Sequence, residues 1–385
     1  RLFEKTVSSD VASVASARVV VAELGVTAYF ARQFRQARSA WWNGSRRRMT
    51  QNDDSTSAED DEDVEAVFAN ALSQCAYWDV GARGGKSRAF FARSRDGRFV
   101  VKQVSKVELE CLLSGFAEAY FARVRANSLA RVRANSRAHA DASSEASSET
   151  ARSREFAPPP TLLAATLGAF TVAPRRVSDR ISKQRDQNDD QNESLDFVVL
   201  ENAFYGAFTA SEGNASWRAY DLKGSTRGRY AETNAFRDKD ADASAADATN
   251  VAETETVVMM DGNVAETCAT DPIAIDSESF ATLERAIRAD VAFLESHNVM
   301  DYSLLGGIDE SPNGRREVVV RVIDYLRQYT WDKQIESAVK SGVPSYEGAP
   351  TVLSPAKYAR RFRRAARRYF LAVPEEEQKK NNERR

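Results

Sequence analysis

Histidine and cysteine are scarce in this chain. Its 385 residues hold two histidines and three cysteines, Cys75, Cys111 and Cys268, which lie far apart with no C-x-x-C spacing. That scarcity argues against a structural zinc site and a disulfide framework, and it suits a reducing compartment. Histidine-based catalysis has no matching pattern either. An excess of charge of one sign is also missing: Lys+Arg 54 against Asp+Glu 56 leaves -2, so no global field points to nucleic acid. No signal peptide or membrane span is visible. The most apolar early stretch, Val11 to Ala31, is interrupted by Arg18 and Glu23 and reads as a soluble helix, so any membrane contact is expected to be peripheral. The first residue is Arg1 rather than Met, from which upstream domains of a longer polypeptide are expected.

What is present is an ordinary globular composition, 42% hydrophobic and 29% charged. The length suits two domains or one two-lobed domain. Residues 7–42 carry an irregular helical pattern ending at Trp41-Trp42. Arg46, Arg47 and Arg48 and the acidic run Glu59-Asp60-Asp61-Glu62-Asp63 then read as a solvated linker. A short helical segment covers Val64–Leu72. Ala89–Arg93 and Arg98–Val104 alternate around Asp96-Gly97 and predict a β-hairpin. Lys106 to Arg123 predicts a helix, and Leu162–Val172, Leu195–Leu200, Trp217–Leu222 and Val318–Ile323 predict strands. Phe280–Glu295 and Pro355–Leu371 predict amphipathic helices. Inserts of biased composition at 122–157, 179–194 and 237–256 read as loops, the first containing ARVRANS at 122–128 and again at 130–136. Strands and a helix followed by a mostly helical half predict a two-lobed α+β architecture.

Several charged residues sit where charge is expensive or concentrated. Lys102 is the one charge in the apolar run Phe99–Val104. It is either a phosphate ligand paired with Glu108 or Glu110, or an edge-strand lysine pointing to water. Gly84, Gly85, Lys86 and Ser87 precede the hairpin, where bare amides can cradle phosphate; a plain loop is the alternative. The segment Tyr220 to Arg229 places Lys223, Arg227 and Arg229 around Gly224, either to neutralise a phosphoryl group or as a solvated basic turn. Asp301 follows the long helix and Asp324 closes the strand Val318–Ile323. One acid to hold Mg²⁺ and another to orient a hydroxyl is what phosphoryl transfer requires; a turn or cap residue is the bland reading of either. Between 357 and 370 the last helix carries seven cations and no acid. Such a helix can dock on an anionic membrane surface, or its arginines can snorkel beside a buried stripe.

The strings GGKSRAFFARSRDGRFVVKQVS (84–105), YDLKGSTRGR (220–229), HNVMDYSLLGGID (297–309), VIDYLRQYTWDKQIE (322–336) and PTVLSPAKYARRFRRAARRYFLAVPE (350–375) resemble the phosphatidylinositol phosphate kinases. Tyr329-Thr330-Trp331-Asp332-Lys333, Glu201-Asn202-Ala203-Phe204-Tyr205-Gly206 and the ending Tyr369 to Pro374 resemble the 1-phosphatidylinositol-3-phosphate 5-kinase type. The likeness runs from about Gly84 to Pro374, broken by the inserts. Arg88 departs from it, standing where the family usually has a small residue, while Ile323-Asp324-Tyr325 takes the place of an Asp-Phe-Gly.

The resemblance implies a fold distantly related to protein kinases. Residues 1–66 would be a helical segment and acidic linker, 67–210 an antiparallel-sheet lobe, and 211–385 a mixed lobe with the catalytic loop. It implies ATP and Mg²⁺ as cofactors and a phosphoinositide lipid as substrate, phosphatidylinositol 3-phosphate or, in the alternative, phosphatidylinositol 4-phosphate. Gly84 to Ser87 and Lys102, with Glu108 as its partner, would hold the ATP phosphates, and Glu201-Asn202 would form the hinge. Lys223 would stabilise the transferring phosphoryl group, Asp301 would be the catalytic aspartate, and Asp324 the Mg²⁺ ligand. Arg227 and Arg229 would meet substrate, and 331–354 would choose the lipid through Lys333. A cytosolic enzyme, peripheral on endosomal or vacuolar membrane, is the location implied. A catalytically inactive phosphoinositide-binding module remains the reading from a different class.

Overall fold

The computed structural model of the chain describes residues 23–50, 63–78, 89–127, 160–175, 194–205, 217–231, 258–267, 273–309, 318–329 and 353–374. Runs rich in Val, Phe and Thr build a first sheet from β1 (Glu23–Ala28), β2 (Cys75–Tyr77), β3 (Phe91–Ser94), β4 (Phe99–Val104), β5 (Thr166–Arg175) and β6 (Leu195–Glu201). Its order is β1-β5-β6-β4-β3-β2 and every pairing is antiparallel. The predicted hairpin is β3–β4, turning at Gly97 with φ 74°.

The apolar stretch read as one irregular helix contains two elements. β1 is the edge strand, and α1 (Ala31–Thr50) starts only after Phe30, whose φ is 48°. Arg46 to Arg48 therefore continue α1 instead of opening a linker. Phe34 and Ala37 of α1 lie in the main core, and Arg38 Nη1 donates to the Leu167 carbonyl at 2.7 Å. Residues assigned to a separate segment up to 66 thus pack on the first sheet. The physical reason is that Val26 and Thr27 are β-branched and find a ladder in β5. α2 (Val64–Ser73) is capped by Asp63, whose side chain accepts from Glu65 N at 3.0 Å.

After β4, Ser105 and Glu108 form a reciprocal capping box that starts α3 (Lys106–Cys111). A π-helical turn, Leu112–Phe116, separates it from α4 at 117–127, with Gly115 at φ 101° supplying the break. The helix predicted to Arg123 therefore has an internal kink and runs on into the first insert.

Among the described residues the second half is not mostly helical. It contains β7 (Trp217–Leu222), β8 (Val258–Met260), β10 (Ser303–Asp309) and β11 (Val318–Ile323) in the order β11-β10-β7-β8, with only β7–β8 parallel. A smaller parallel pair joins β9 (Ile273–Asp276) to β12 (Phe370–Val373). The helices are α5 (Asp261–Thr267), α6 (Ser277–Ser296) and α7 (Pro355–Tyr369). Of the strands not expected, β8, β9 and β12 are three or four residues long, too short to show a period, and β10 carries Gly306-Gly307 where an alternating pattern would continue.

Backbone bonds tie the two large sheets together. Ala164 N donates to Val322 O at 2.9 Å, and Val322 N to Leu162 O at 2.7 Å. Thr166 Oγ1 and the Tyr325 hydroxyl are 2.7 Å apart. Arg321 Nε donates to Glu201 Oε1 at 2.9 Å. One continuous core runs from Phe34, Phe116 and Tyr120 to Leu222, Ile287, Tyr302 and Tyr358. These ties fix the end of β11 relative to β4. Among the described residues no helix is long and apolar enough to cross a membrane.

Candidate active site

β4 lies between β6 and β3, so Lys102 is not on an edge strand. Its side chain is 12% exposed and its Nζ meets Asp324 Oδ1 at 2.5 Å, across 222 residues of chain. The water-pointing alternative is therefore excluded. Burial favours a lower pKa for Lys102, but the charges of Asp324 and Glu108 outweigh it and hold the ammonium above its ordinary value. Burial likewise favours a raised Asp324, yet Lys102 and then Lys223 and Arg229 hold its carboxyl below the ordinary carboxylate range. Glu108 acts on Lys102 only through its charge. Its carboxylate accepts from Ser105 N and Oγ, both at 2.8 Å, because capping α3 satisfies two local donors. The direct Lys102–Glu108 pair expected from sequence is replaced by Lys102–Asp324.

Asp301 forms a second charged node. Lys223 Nζ donates to its carbonyl oxygen at 2.7 Å and to Oδ1 at 2.9 Å, and Arg327 Nη1 donates to Oδ2 at 2.7 Å. Asp301 and Asp324 both have positive φ, 66° and 61°. A non-glycine residue held there stores backbone strain, which concentrates at sites where a side chain must be aimed. Beneath Asp301, Tyr302 is fully buried and packs edge-on against Tyr358 and Phe362 of α7. The Tyr358 hydroxyl donates to the Tyr302 carbonyl.

The loop carrying Lys223 is organised by Asp261, at the start of α5. Asp261 is 2% exposed and accepts from the backbone N–H groups of Lys223, Gly224 and Ser225 at 3.0, 2.6 and 3.1 Å. Arg229 Nε and the Tyr369 hydroxyl also donate to it, at 2.6 and 2.5 Å. Burial and the Asp261 charge push the Tyr369 phenol well above its ordinary value. Arg229 is thereby a structural cation. It ion-pairs with Asp261 and with Asp221 at 3.3 Å, so its guanidinium, expected from sequence to meet substrate, holds two carboxylates of this chain. Arg227 is half-buried and keeps no carboxylate partner among the described residues. Asp261 and Arg327 were missed by sequence reasoning. Asp261 follows an insert and looks like a turn in Met260-Asp261-Gly262; Arg327 had a readable signal, a cation three residues after Asp324.

Gly224 sits at φ 77°, and a Cβ built on it would lie 3.0 Å from the Ala365 Cβ of α7. A Gly224→Ala chain is expected to lose about 1–3 kcal/mol of stability from left-handed strain and overpacking. Thermal melting checks this; an unchanged midpoint would mean the loop is not pressed on α7.

Glu201 and Asn202, assigned to the hinge, are present at the junction between the sheets. Glu201 accepts from Trp41 Nε1 at 2.6 Å, Ala165 N at 3.0 Å and Arg321 Nε at 2.9 Å. Asn202 Nδ2 donates to Gly97 O at 2.7 Å. Both side chains thus hold the junction rather than reach into open space. Gly84, Gly85, Lys86, Ser87, Arg88 and Lys333, with nearly all of 331–354, lie outside the described residues.

Among the described residues no group of three metal-ligating side chains occurs. Magnesium needs no such cage, since it uses one or two carboxylates with phosphate oxygens and water. Asp324 is 39% exposed, its carboxyl is held below the ordinary carboxylate range, and Lys102 takes its Oδ1. Asp221 adds its charge to the same cluster, and its Oδ1 is buried without a hydrogen-bond partner. These residues fit a magnesium–phosphate group.

Residues 157–321 match the family model described as Phosphatidylinositol-4-phosphate 5-Kinase. The chain is 37% identical over 314 residues to 1-phosphatidylinositol-3-phosphate 5-kinase FAB1B of Arabidopsis thaliana, covering 80% of this chain and 14% of that protein. It is 35% identical over 312 residues to the 1-phosphatidylinositol 3-phosphate 5-kinase of Homo sapiens, covering 80% and 12%. Against the FAB1 enzyme of Saccharomyces cerevisiae it is 31% identical over 316 residues, covering 81% and 11%. Over 80% of its length the chain is thus similar to phosphatidylinositol phosphate kinases, and the family model takes in the loop of Lys223 and both Asp261 and Asp301. Within that class it is similar to the 1-phosphatidylinositol-3-phosphate 5-kinases, of whose length it spans 11% to 14% in these three relatives.

Proposed function

We propose that this chain is the catalytic part of an ATP-dependent lipid kinase that phosphorylates the 5-hydroxyl of phosphatidylinositol 3-phosphate. The observation that carries the reading is the convergence of Lys102, Asp324, Lys223 and Asp301, from distant strands and loops, in two linked ion-pair nodes. In this reading Lys102 binds the nucleotide phosphates, and Asp324, with Asp221 behind it, holds Mg²⁺. The ion supplies charge neutralisation on the phosphates when bound. Asp301 orients the inositol hydroxyl, and Lys223, already beside it, faces the charge that develops on the phosphoryl oxygens. The hydroxyl oxygen bonds to the γ-phosphorus as the bond to the ADP oxygen breaks, and the hydroxyl proton leaves by way of the Asp301 carboxylate. Arg227 is the cation left to meet a lipid phosphate. Residues 67–210 and 211–385 would be the two lobes of a distantly protein-kinase-like cleft, with β1 and α1 added to the first. Location on endosomal or vacuolar membrane belongs to the same proposal.

The description of the matching family model favours a second reading, phosphatidylinositol 4-phosphate as substrate. Chromatographic product analysis with each monophosphorylated phosphoinositide and Mg-ATP separates the two. The expected product is phosphatidylinositol 3,5-bisphosphate; a bisphosphate formed only from the 4-phosphate would sink the first reading, and no product from any lipid would sink both.

A further inference from the structure

α7 uses two of its flanks for the site just described: Tyr358 and Phe362 pack on Tyr302, and Ala365 lies under Gly224. Its third flank faces α6 and leaves a cleft of about 370 Å³ between the helices. The cleft has an apolar floor of Phe280, Leu283 and Ile287 from α6, closed at one end by Phe370. Its rim is cationic, with Arg288 from α6 and Arg360, Arg363, Arg364 and Arg367 from α7. Among the described residues, Arg367 pairs with Glu284, the one acid in the lining, and the other four have no carboxylate partner. Arg360 and Arg364, and Arg363 and Arg367, stand one helical turn apart as like charges, an arrangement that destabilises a helix unless an anion is shared.

Guanidinium forks above a greasy trough complement a molecule with a phosphate at one end and hydrocarbon next to it. An acidic peptide would match the rim but leave the aromatic and aliphatic floor wet. We propose that the α6–α7 cleft binds one acidic phospholipid, its phosphate on Arg360, Arg363 and Arg364 and its first acyl methylenes on Phe280, Leu283 and Ile287. This site lies apart from Lys223 and Asp301, and the proposal stands whether or not the chain transfers phosphate.

The test uses the whole chain without nucleotide, titrated calorimetrically with dihexanoyl phosphatidic acid below its micelle concentration, with glycerol 3-phosphate and with hexaglutamate. One saturable site for the acylated phosphate is expected, with binding at least about tenfold weaker for glycerol 3-phosphate, which lacks the chains. Arg360→Gln/Arg364→Gln, both exposed positions, is expected to weaken lipid binding by about tenfold or more while leaving the melting midpoint in place. Leu283→Gln is expected to weaken the acylated ligand and leave glycerol 3-phosphate unchanged. The Asp324→Asn chain should bind the lipid as the parent does. Equal affinity for the two phosphates, tighter binding of hexaglutamate, or lipid binding indifferent to the double arginine change would each overturn the proposal. If Leu283→Gln does not fold, the arginine pair and the glycerol 3-phosphate arm still decide it.

Discussion

An Asp324→Asn chain is expected to phosphorylate lipid about 10³-fold more slowly than the parent, with its melting midpoint little changed. Asparagine keeps the volume at the end of β11 and can still accept from Lys102. It tolerates the left-handed φ of 61° as well as aspartate does. What it removes is the negative charge, on which both proposed jobs of this residue depend. Lys102 would lose the anion that holds it in the cleft, and the metal site would lose its exposed carboxylate oxygen. Because both changes act on one group of charges, Lys102→Met should cost a similar factor and the double variant little more than either alone. Initial rates of labelled phosphate entering lipid, at saturating ATP and again at saturating lipid, provide the measurement. A rate within about tenfold of the parent would remove Asp324 from the machinery. The pH behaviour agrees in sign. The depressed Asp324 carboxyl contributes stability that is full above its ordinary value of 3.8 and is lost as pH falls through its lower folded value. The raised Lys102 contributes below 10.5 and loses its share as pH rises through its higher folded value. Between those limits the pair stays charged, so neither residue is expected to place a limb in a rate profile run near neutrality.

Residues beside long apolar runs were legible from sequence; residues defined by their partners were not. Lys102 and Asp324 stood out because each is a charge adjoining a strand whose neighbours are Val, Ile or Phe, and the cost of burying a charge makes such a position conspicuous. Lys223 was readable as one of three cations in a turn after the strand Trp217–Leu222, and Asp301 as the acid that follows the long helix. Arg229 shows the limit: a sequence displays its charge and hides the two carboxylates, Asp221 and Asp261, that occupy it. Glu108 shows another, since the same Ser105–Glu108 spacing that caps α3 draws the acid away from Lys102. In the fold, α6, α7 and the β3–β4 hairpin had full periods to read. β1 was lost because its six residues run within two positions of a helix and the apolar pattern was averaged over both.

The largest effect on stability is expected from a residue that takes no part in the chemistry. Asp261→Ala should destabilise the chain by about 3–5 kcal/mol, more than any substitution at Lys102 or Asp324, because those two are partly open to solvent. The alanine would remove a buried carboxylate that three backbone N–H groups, one arm of Arg229 and the Tyr369 hydroxyl all donate to. Arg229 would keep Asp221 but at half its former compensation. Asp261→Asn is the informative partner. It retains one acceptor oxygen for the amides and loses the charge that balances Arg229, so a smaller loss of about 1–3 kcal/mol is expected. Since Lys223 begins the loop that Asp261 gathers, the rate of phosphate transfer should fall with both variants, although neither changes a group near the reacting atoms. Chemical denaturation read by tryptophan fluorescence supplies the stabilities, and single-turnover rates on the folded fraction supply the activities. Should Asp261→Ala melt with the parent and turn over normally, the loop must hold Lys223 in place by some means other than this carboxylate, and Asp301 would have to be its sole anchor.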